Sequence, residues 1–577
     1  MSFDIQFGRG DEMVTLVTGT RSSRPRSATR ERKRGEVNDR IAVFLCRCGG
    51  AIGNRIDLEM IRDELLRSEK NIDTYVLDFA CTANGRTEIK RILQQIGSTR
   101  FVIAGCSPKT HELLFRELAL EIGLNPFMFE MANIREQCAF VHDETDTMAK
   151  ARALIRGAIS KCRFLLPPPY DRVPITYKQV LVVGNGISAL TAAESVAREG
   201  IKVTLLNPGE GFSSSELKLV SSSTSGEYTS NQLRKIEANP LVRILNNTKP
   251  VEYLGFAGNF RVLAMENDKT VEIECGAIII AFDSIIGQES GESYHTLSIH
   301  PWHHMKEMAS GKSSIPSRIV IILAPQRDTE QSCGLRDGEV LTHAINIKKL
   351  RSDAEITVIV RDVRTYGFDE LTFRDAQEQG IRIIRTEKEP VIERSDSLAV
   401  IVDDIVLGAP LRIRADDVIV PPTAVPTGAE VIARAFRLPL TEKGFLKKTQ
   451  VKLKPAASIR RGIFLCGTAV ESGFAPEKFL DARVGASRAV ALIRSGYVDI
   501  GGAIAEINPE KCSACLTCVR SCPYDAPFIG EVGKAEIETE KCMGCGICVG
   551  ICPSKAIEMY CYSDAQLHAQ VSSIMRG

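Results

Sequence analysis

The stretch VLVVGNGISALTAAESVAREGIKVTLLN (180–207) sets out a strand, a glycine-rich turn, a helix and a second strand in that order. Compact apolar runs at both ends suit buried parallel strands, and the small and apolar residues between them fall at helical spacing. Gly184 permits the tight turn, Gly186 lets the backbone approach a pyrophosphate, and Ala189 lets helix and strand pack closely. The loop Gly184, Asn185, Gly186, Ile187, Ser188 and Ala189 is thereby predicted to cradle a dinucleotide at a helix N-terminus.

Two features qualify that loop. The acidic residue expected at the end of the second strand, for the ribose hydroxyls, is Asn207, which still hydrogen-bonds a hydroxyl but without charge assistance. No second Gly-x-Gly turn occurs: RIVIILAPQRD (318–328) stands where a pyridine-nucleotide domain would carry one, which disfavours direct NAD(P)H use. GIFLCGTA (462–469) looks like the late strand and turn of flavoproteins, where Gly467 and Thr468 bring a backbone N–H to the flavin phosphates or ribityl chain. A nucleotide fold that has lost its nucleotide stays open as the alternative.

Further on, CSACLTCVRSCP (512–523) and CMGCGICVGICP (542–553) each read C-x2-C-x2-C-x3-C-P. That is the run of bacterial two-cluster ferredoxins, whose fourth cysteine serves the other cluster. On that logic Cys512, Cys515, Cys518 and Cys552 hold one [4Fe–4S] cluster, and Cys542, Cys545, Cys548 and Cys522 the other. Gly544 and Gly546 let the backbone pass close to the sulfides. Structural zinc normally uses C-x2-C pairs and not two complete four-cysteine runs.

Towards the N-terminus, IAVFLC (41–46), TYVLDFA (74–80) and RFVIAGC (100–106) alternate with helical patterns and predict a small parallel α/β domain. Cys46 and Cys48, Cys81 and Cys106 fall at the ends of those strands, where an open parallel sheet forms its crevice. Cys138 is a fifth candidate. Geometry leaves two readings open, a further cluster or cysteines acting as small buried hydrophobes.

At 577 residues the chain exceeds one hydrophobic core. A net charge of +1 argues against nucleic acid as the main partner. No apolar run approaches the roughly 18 residues of a membrane span. Eighteen cysteines without a signal-peptide core point to metal ligation in a reducing compartment, so a cytoplasmic protein is expected. The divisions read as a basic disordered arm (1–40), an N-terminal α/β domain (41–165), a linker (166–178), a nucleotide domain (179–500), a two-cluster α+β domain (501–565) and a polar tail (566–577).

Taken together, FLCRCGG, AGCSPKTHE, NPFMFEMANIREQCAFVH, VVGNGISAL, VRDVRTYG, GIFLCGTA and the two cysteine runs resemble the A subunit of heterodisulfide reductase over about 41–562. The resemblance implies FAD in a thioredoxin-reductase-like domain and a cluster on the N-terminal cysteines, beside the two C-terminal clusters. It also implies one part of an oxidoreductase complex, paired with a second A subunit, the B and C subunits, and a hydrogenase- or formate-dehydrogenase-linked donor. The chain departs from the fuller pattern in lacking the inserted ferredoxin module, and TEQSCGLRDG keeps only Cys333 where relatives are richer in cysteine. Those losses put flavin-based bifurcation in doubt. The rival readings are a flavin-free scaffold and electron wire beside a complete A subunit, and a self-sufficient flavin reductase. The last is opposed by the missing pyridine-nucleotide loop and by the lack of a C-x2-C disulfide in the flavin domain.

Overall fold

The computed structural model describes residues 40–212, 231–267, 269–283, 285–287, 299–323, 337–365, 367–394, 398–420, 423–426, 428–449, 454–468, 470 and 475–576. The predicted basic arm, apart from Arg40, and the segment around Cys333 lie outside them. The chain forms two compact units, Met1–Pro167 with Asp564–Gly577, and Pro168–Ser563.

The first unit is a four-stranded parallel sheet ordered Ile72–Leu77, Ile41–Cys46, Arg100–Gly105, Phe129–Asn133. The two central strands are buried along their whole length, as helix-covered parallel strands must be. Phe101 stacks on Phe129 with ring centroids 4.9 Å apart, tying the fourth strand to the core. Polar residues in FEMAN hid that strand from the sequence pattern. The expected helix near 145–163 runs Glu144–Arg163.

The segment expected as a polar tail is instead a helix, Asp564–Arg576, packed along Glu144–Arg163. Gln566 is buried, and its Nε2 donates to the Phe164 carbonyl at 2.9 Å, satisfying an acceptor at the end of the longer helix. Gly157 leaves the room: a Cβ there would lie 2.7 Å from Ile574 Cγ1. Leu567, Val571 and Met575 share one stripe but are exposed, while Gln566 and Gln570 lie on the packed side with Ile574, so the apolar pattern does not mark the face that is buried.

The second unit contains two five-stranded parallel sheets. One is ordered Ile463–Cys466, Ala277–Ala281, Gln179–Val183, Lys202–Leu206, Val242–Leu245. The other is ordered Ile299–Pro301, Asp417–Val420, Arg318–Ile322, Glu355–Val360, Arg382–Arg385. Each sheet is accompanied by a three-stranded antiparallel meander, Thr248–Phe256 to Lys269–Cys275 in the first case and Val391–Arg394 to Ala409–Arg414 in the second. The glycine loop leads from Gln179–Val183 into helix Gly186–Arg198, as predicted.

The predicted linker is not free either. Its residues Tyr170–Pro174 form a strand antiparallel to Tyr497–Gly501. Burial pushes the Asp499 carboxyl up, but hydrogen bonds from Arg172 and Tyr170 outweigh it and hold the carboxyl below its ordinary range. The prolines at 167–169 precede this strand and so cost it no ladder bond. The cysteine-rich module follows with two short antiparallel pairs: its first and last strands, Ala505–Ile507 with Ile557–Met559, and the hairpin Pro527–Ile529 with Ala535–Ile537.

A chain ended after Ser563 should lose hydrogen-exchange protection across Glu144–Arg163 while Gln179–Val183 keeps its own. Equal protection in both would show that the C-terminal helix contributes nothing to the first unit.

Candidate iron–sulfur and nucleotide sites

In the cysteine-rich module each run turns tightly and enters a five-residue helix, Thr517–Ser521 in the first and Ile547–Ile551 in the second. The turns need left-handed backbone. The second run uses Gly544 (φ 64°) and Gly546 (φ 78°), whereas the first holds Ala514 (φ 54°) and Leu516 (φ 63°) there, at about 1–2 kcal/mol each.

The thiols fall into two sets around two small cavities. Cys512, Cys515, Cys518 and Cys552 line one, with Ile507, Ala535 and Ile557 among the apolar walls. Cys522, Cys542, Cys545 and Cys548 line the other, with Tyr524, Ile537 and Met559. The fourth cysteine of each run therefore faces the other run's cavity, the interleaving expected from spacing.

Several groups point at these sulfurs. The Ala514 N–H donates to Cys512 Sγ at 3.4 Å and the Ala556 N–H to Cys552 Sγ at 3.3 Å. The Thr517 hydroxyl lies 3.3 Å from Cys515 Sγ and lowers that thiol's pKa. Burial, followed by the neighbouring Cys542, Cys522 and Cys545, pushes Cys548 up to about 11. Among the described residues no three His, Cys, Asp or Glu side chains close on a point tightly enough for a single metal ion. Four thiols round a volume suit a cubane better than a mononuclear metal.

In the N-terminal sheet, Cys46 ends its strand and Cys106 directly follows Arg100–Gly105. Cys46 Sγ accepts from the Ala80 N–H at 3.3 Å. Burial raises the Cys46 pKa, and the charges of Cys48 and Cys81 add to the rise. Cys106 is pushed up to about 11, chiefly by burial, with Cys48 and Cys46 among its charged neighbours. These four thiols share one neighbourhood at the carboxyl end of the sheet.

Cys138 is held differently. It is fully buried in the turn Arg135–Ala139, and its thiol donates to the Thr147 carbonyl at 3.2 Å. That contact, and the lack of the other four thiols among the charges acting on it, sets Cys138 apart from them. The reading from sequence missed Arg135, whose Nη1 donates to Cys48 Sγ at 3.0 Å, and Glu136, which grips Arg135 at 2.6 Å and accepts from the Ser107 N–H at 2.9 Å. Both stand beside Cys138 in NIREQCAFVH, and only the fold turns them towards the strand ends.

The nucleotide loop has the predicted backbone: helix Gly186–Arg198 begins with buried Ile187, Ser188 and Ala189. Asn207 is fully buried and already committed, since its Oδ1 accepts from the Gly209 N–H at 3.0 Å and its Nδ2 donates to Asn246 Oδ1 at 3.1 Å. Asp283, beyond strand Ala277–Ala281, accepts from the N–H of Ser188 and of Thr468. The glycine cradle fits a pyrophosphate in shape, and a carboxylate already holds its donors.

Within the second unit, the module and the nucleotide sheet are joined through Arg460. Its buried guanidinium donates to Asp525 Oδ2 at 2.8 Å and to the Arg437 carbonyl at 3.2 Å. Arg437 adds a second bond to Asp525 at 3.2 Å. Tyr524, beside this pair, lines the cavity of the second cysteine set.

Residues 504–553 match the 4Fe-4S dicluster domain family. Among curated proteins, the A subunit of the ferredoxin:CoB-CoM heterodisulfide reductase of Methanosarcina acetivorans is 26% identical over 93% of this chain and 84% of its own. The chain is a relative of the A subunit of heterodisulfide reductase. The A subunit of the H(2):CoB-CoM heterodisulfide,ferredoxin reductase of Methanothermobacter marburgensis is 26% identical over 87% of this chain and 92% of its own. An A-subunit-like heterodisulfide reductase protein of Archaeoglobus profundus is also 26% identical, over 85% and 91%. A thioredoxin reductase of Lactococcus lactis overlaps 55% of this chain and 99% of its own at 16% identity, with a TM-score of 0.38, too loose a superposition to support an argument. This relative is an oxidoreductase subunit, and its C-terminal module is of the [4Fe–4S] dicluster kind. Among the described residues no helix is long and apolar enough to cross a membrane.

Cys106→Ala should lower the iron bound per chain by about four atoms, one cubane, whereas Cys138→Ala should leave iron unchanged. Equal losses in metal analysis would return Cys138 to the ligand set. Asp525→Ala should lower thermal stability by about 1–2 kcal/mol, because it strands the Arg460 guanidinium while Asp525 is itself part-exposed. An unchanged melt would show that the Arg460 contact is not a structural tie.

Proposed function

We propose that the chain is the iron–sulfur flavoprotein subunit of a heterodisulfide-reductase-like complex, relaying electrons between a donor partner and disulfide-reducing subunits. The observation that carries the reading is the crossed arrangement of eight C-terminal thiols round two cavities, in a module tied to a nucleotide-binding sheet. Bound clusters carry single electrons, and a flavin exchanges one- and two-electron chemistry.

The chain's own residues would fix and tune that relay. Cys512, Cys515, Cys518 and Cys552 form one ligand set, and Cys522, Cys542, Cys545 and Cys548 the second. Cys46, Cys48, Cys81 and Cys106 form a third. The N–H groups of Ala514 and Ala556 and the Thr517 hydroxyl hydrogen-bond sulfur and so raise potentials. Arg135 places a cation against Cys48. Arg460 and Asp525 hold the module in register with the nucleotide sheet.

By likeness to proteins named as parts of CoB–CoM heterodisulfide reductases, the chain would assemble with the B and C subunits, a hydrogenase- or formate-dehydrogenase-linked donor and a second A subunit, in the cytoplasm. A second reading, a cluster wire that works without flavin, is favoured by the satisfied side chain of Asn207.

Anaerobically purified full-length chain should carry about twelve iron atoms, four per cubane, and the broad visible absorption of [4Fe–4S] clusters. About eight would remove the N-terminal cluster. Iron near zero after reconstitution would overturn the relay.

A further inference from the structure

The least expected feature of the nucleotide sheet is what sits in its cradle. Asp283 Oδ2 accepts from the Ser188 N–H at 3.0 Å, at the start of helix Gly186–Arg198. Its Oδ1 accepts from the Ser188 hydroxyl at 2.7 Å and from the Thr468 N–H at 3.3 Å. Its own N–H donates to Asn185 Oδ1 at 3.3 Å. One carboxylate thus spans the helix N-terminus and the late turn, two places from which sequence reasoning drew phosphate contacts.

The fit is close. A Cβ on Gly186 would lie 2.6 Å from Asp283 Oδ2, and a Cβ on Gly467 would lie 3.2 Å from Asp283 Oδ1. Gly186, at φ 70°, therefore admits the carboxylate to the space a pyrophosphate would use. A helix N-terminus attracts any anion through its unpaired N–H groups and dipole. It does not accommodate a carboxylate and a diphosphate together, since like charges a few ångströms apart repel and the donors are single.

We propose that Asp283 is an internal stand-in for the pyrophosphate, so that FAD binds only by displacing it. The proposal rests on the flavoprotein reading and adds its regulation. Binding becomes the exchange of one anion for another at the same donors, and affinity falls by the stability of the Asp283 contacts. The same bonds keep the cradle folded, which lets the sheet persist without flavin. Any partner that draws residues 281–283 aside would raise FAD affinity.

The test uses full-length, cluster-loaded chain stripped of flavin, with FAD binding measured by equilibrium dialysis and stability by thermal melting. Asp283→Ala should bind FAD at least tenfold more tightly than the wild type, yet melt at a lower temperature without FAD. Asp283→Asn, which keeps the shape and loses the charge, should fall between them in affinity. Unchanged or weaker FAD binding in a folded Asp283→Ala overturns the stand-in while leaving the flavoprotein reading intact. If wild type and both variants retain clusters but none binds FAD, the flavin reading and the stand-in fail together while the relay through clusters survives.

Discussion

Two crossing thiols constrain the C-terminal module more than any other contact. Cys522 follows the first run's helix yet lines the second run's cavity, and Cys552 does the reverse. Neither run can then close its own set, so the two must fold as one body. That explains the strain the first run tolerates at Ala514 and Leu516: leaving the left-handed turn would swing Cys515 and Cys518 away from Cys552. The short paired strands on either side are too small to hold this geometry alone, and the module's apolar cluster consists largely of the cysteines and the residues packed against them.

The same constraint reaches the nucleotide sheet through a buried guanidinium. Arg460 is only 9% exposed at its side chain, and it is satisfied jointly by Asp525 and the Arg437 carbonyl. A buried cation is stabilising only while its partners stay in place, and removing one costs more than the pair contributes. Asp525 sits three residues beyond Cys522 in a left-handed conformation, so a shift of the cysteine turn is felt at Arg460. Spacing between module and sheet is in this way linked to the turn that presents the crossing thiol.

Legibility in the sequence followed the range of the interactions. The cysteine sets came from spacing alone, because each turn is local and its chemistry is repeated in order. The strands at 41–46 and 100–106 were legible because burial on both faces leaves an uninterrupted apolar run. Features set by distant partners were not. Cys138 resembles the other N-terminal cysteines in composition, and only the Thr147 carbonyl shows which way it points. The strand Tyr170–Pro174 and the helix Asp564–Arg576 are ordered by segments hundreds of residues away, so neither carries a strong pattern of its own. Asp283 looks like an ordinary residue after a strand, and nothing near it in sequence names Ser188 or Thr468.

The glycine loop carries the same lesson in a sharper form. A glycine signature is read as room for a ligand, yet in this sheet the room is taken by the chain. A Cβ on Gly184 would lie 2.0 Å from the Ala281 carbonyl oxygen, the end of the neighbouring strand. Gly184 is therefore required by strand packing whether or not a nucleotide is bound. Gly186 faces Asp283, so it is required by either anion. A loop can thus keep its glycines under selection for folding alone, and the pattern reports the path of the backbone and not its occupant. What discriminates between occupants is the state of the donors and of the ribose-side residue. In this chain the N–H groups of Ser188 and Thr468 and both ends of the Asn207 amide already have protein partners. A dinucleotide entering this sheet gains little from making those bonds afresh, because each is exchanged for one that existed before. Its net affinity must come from charge, shape and the ring it carries.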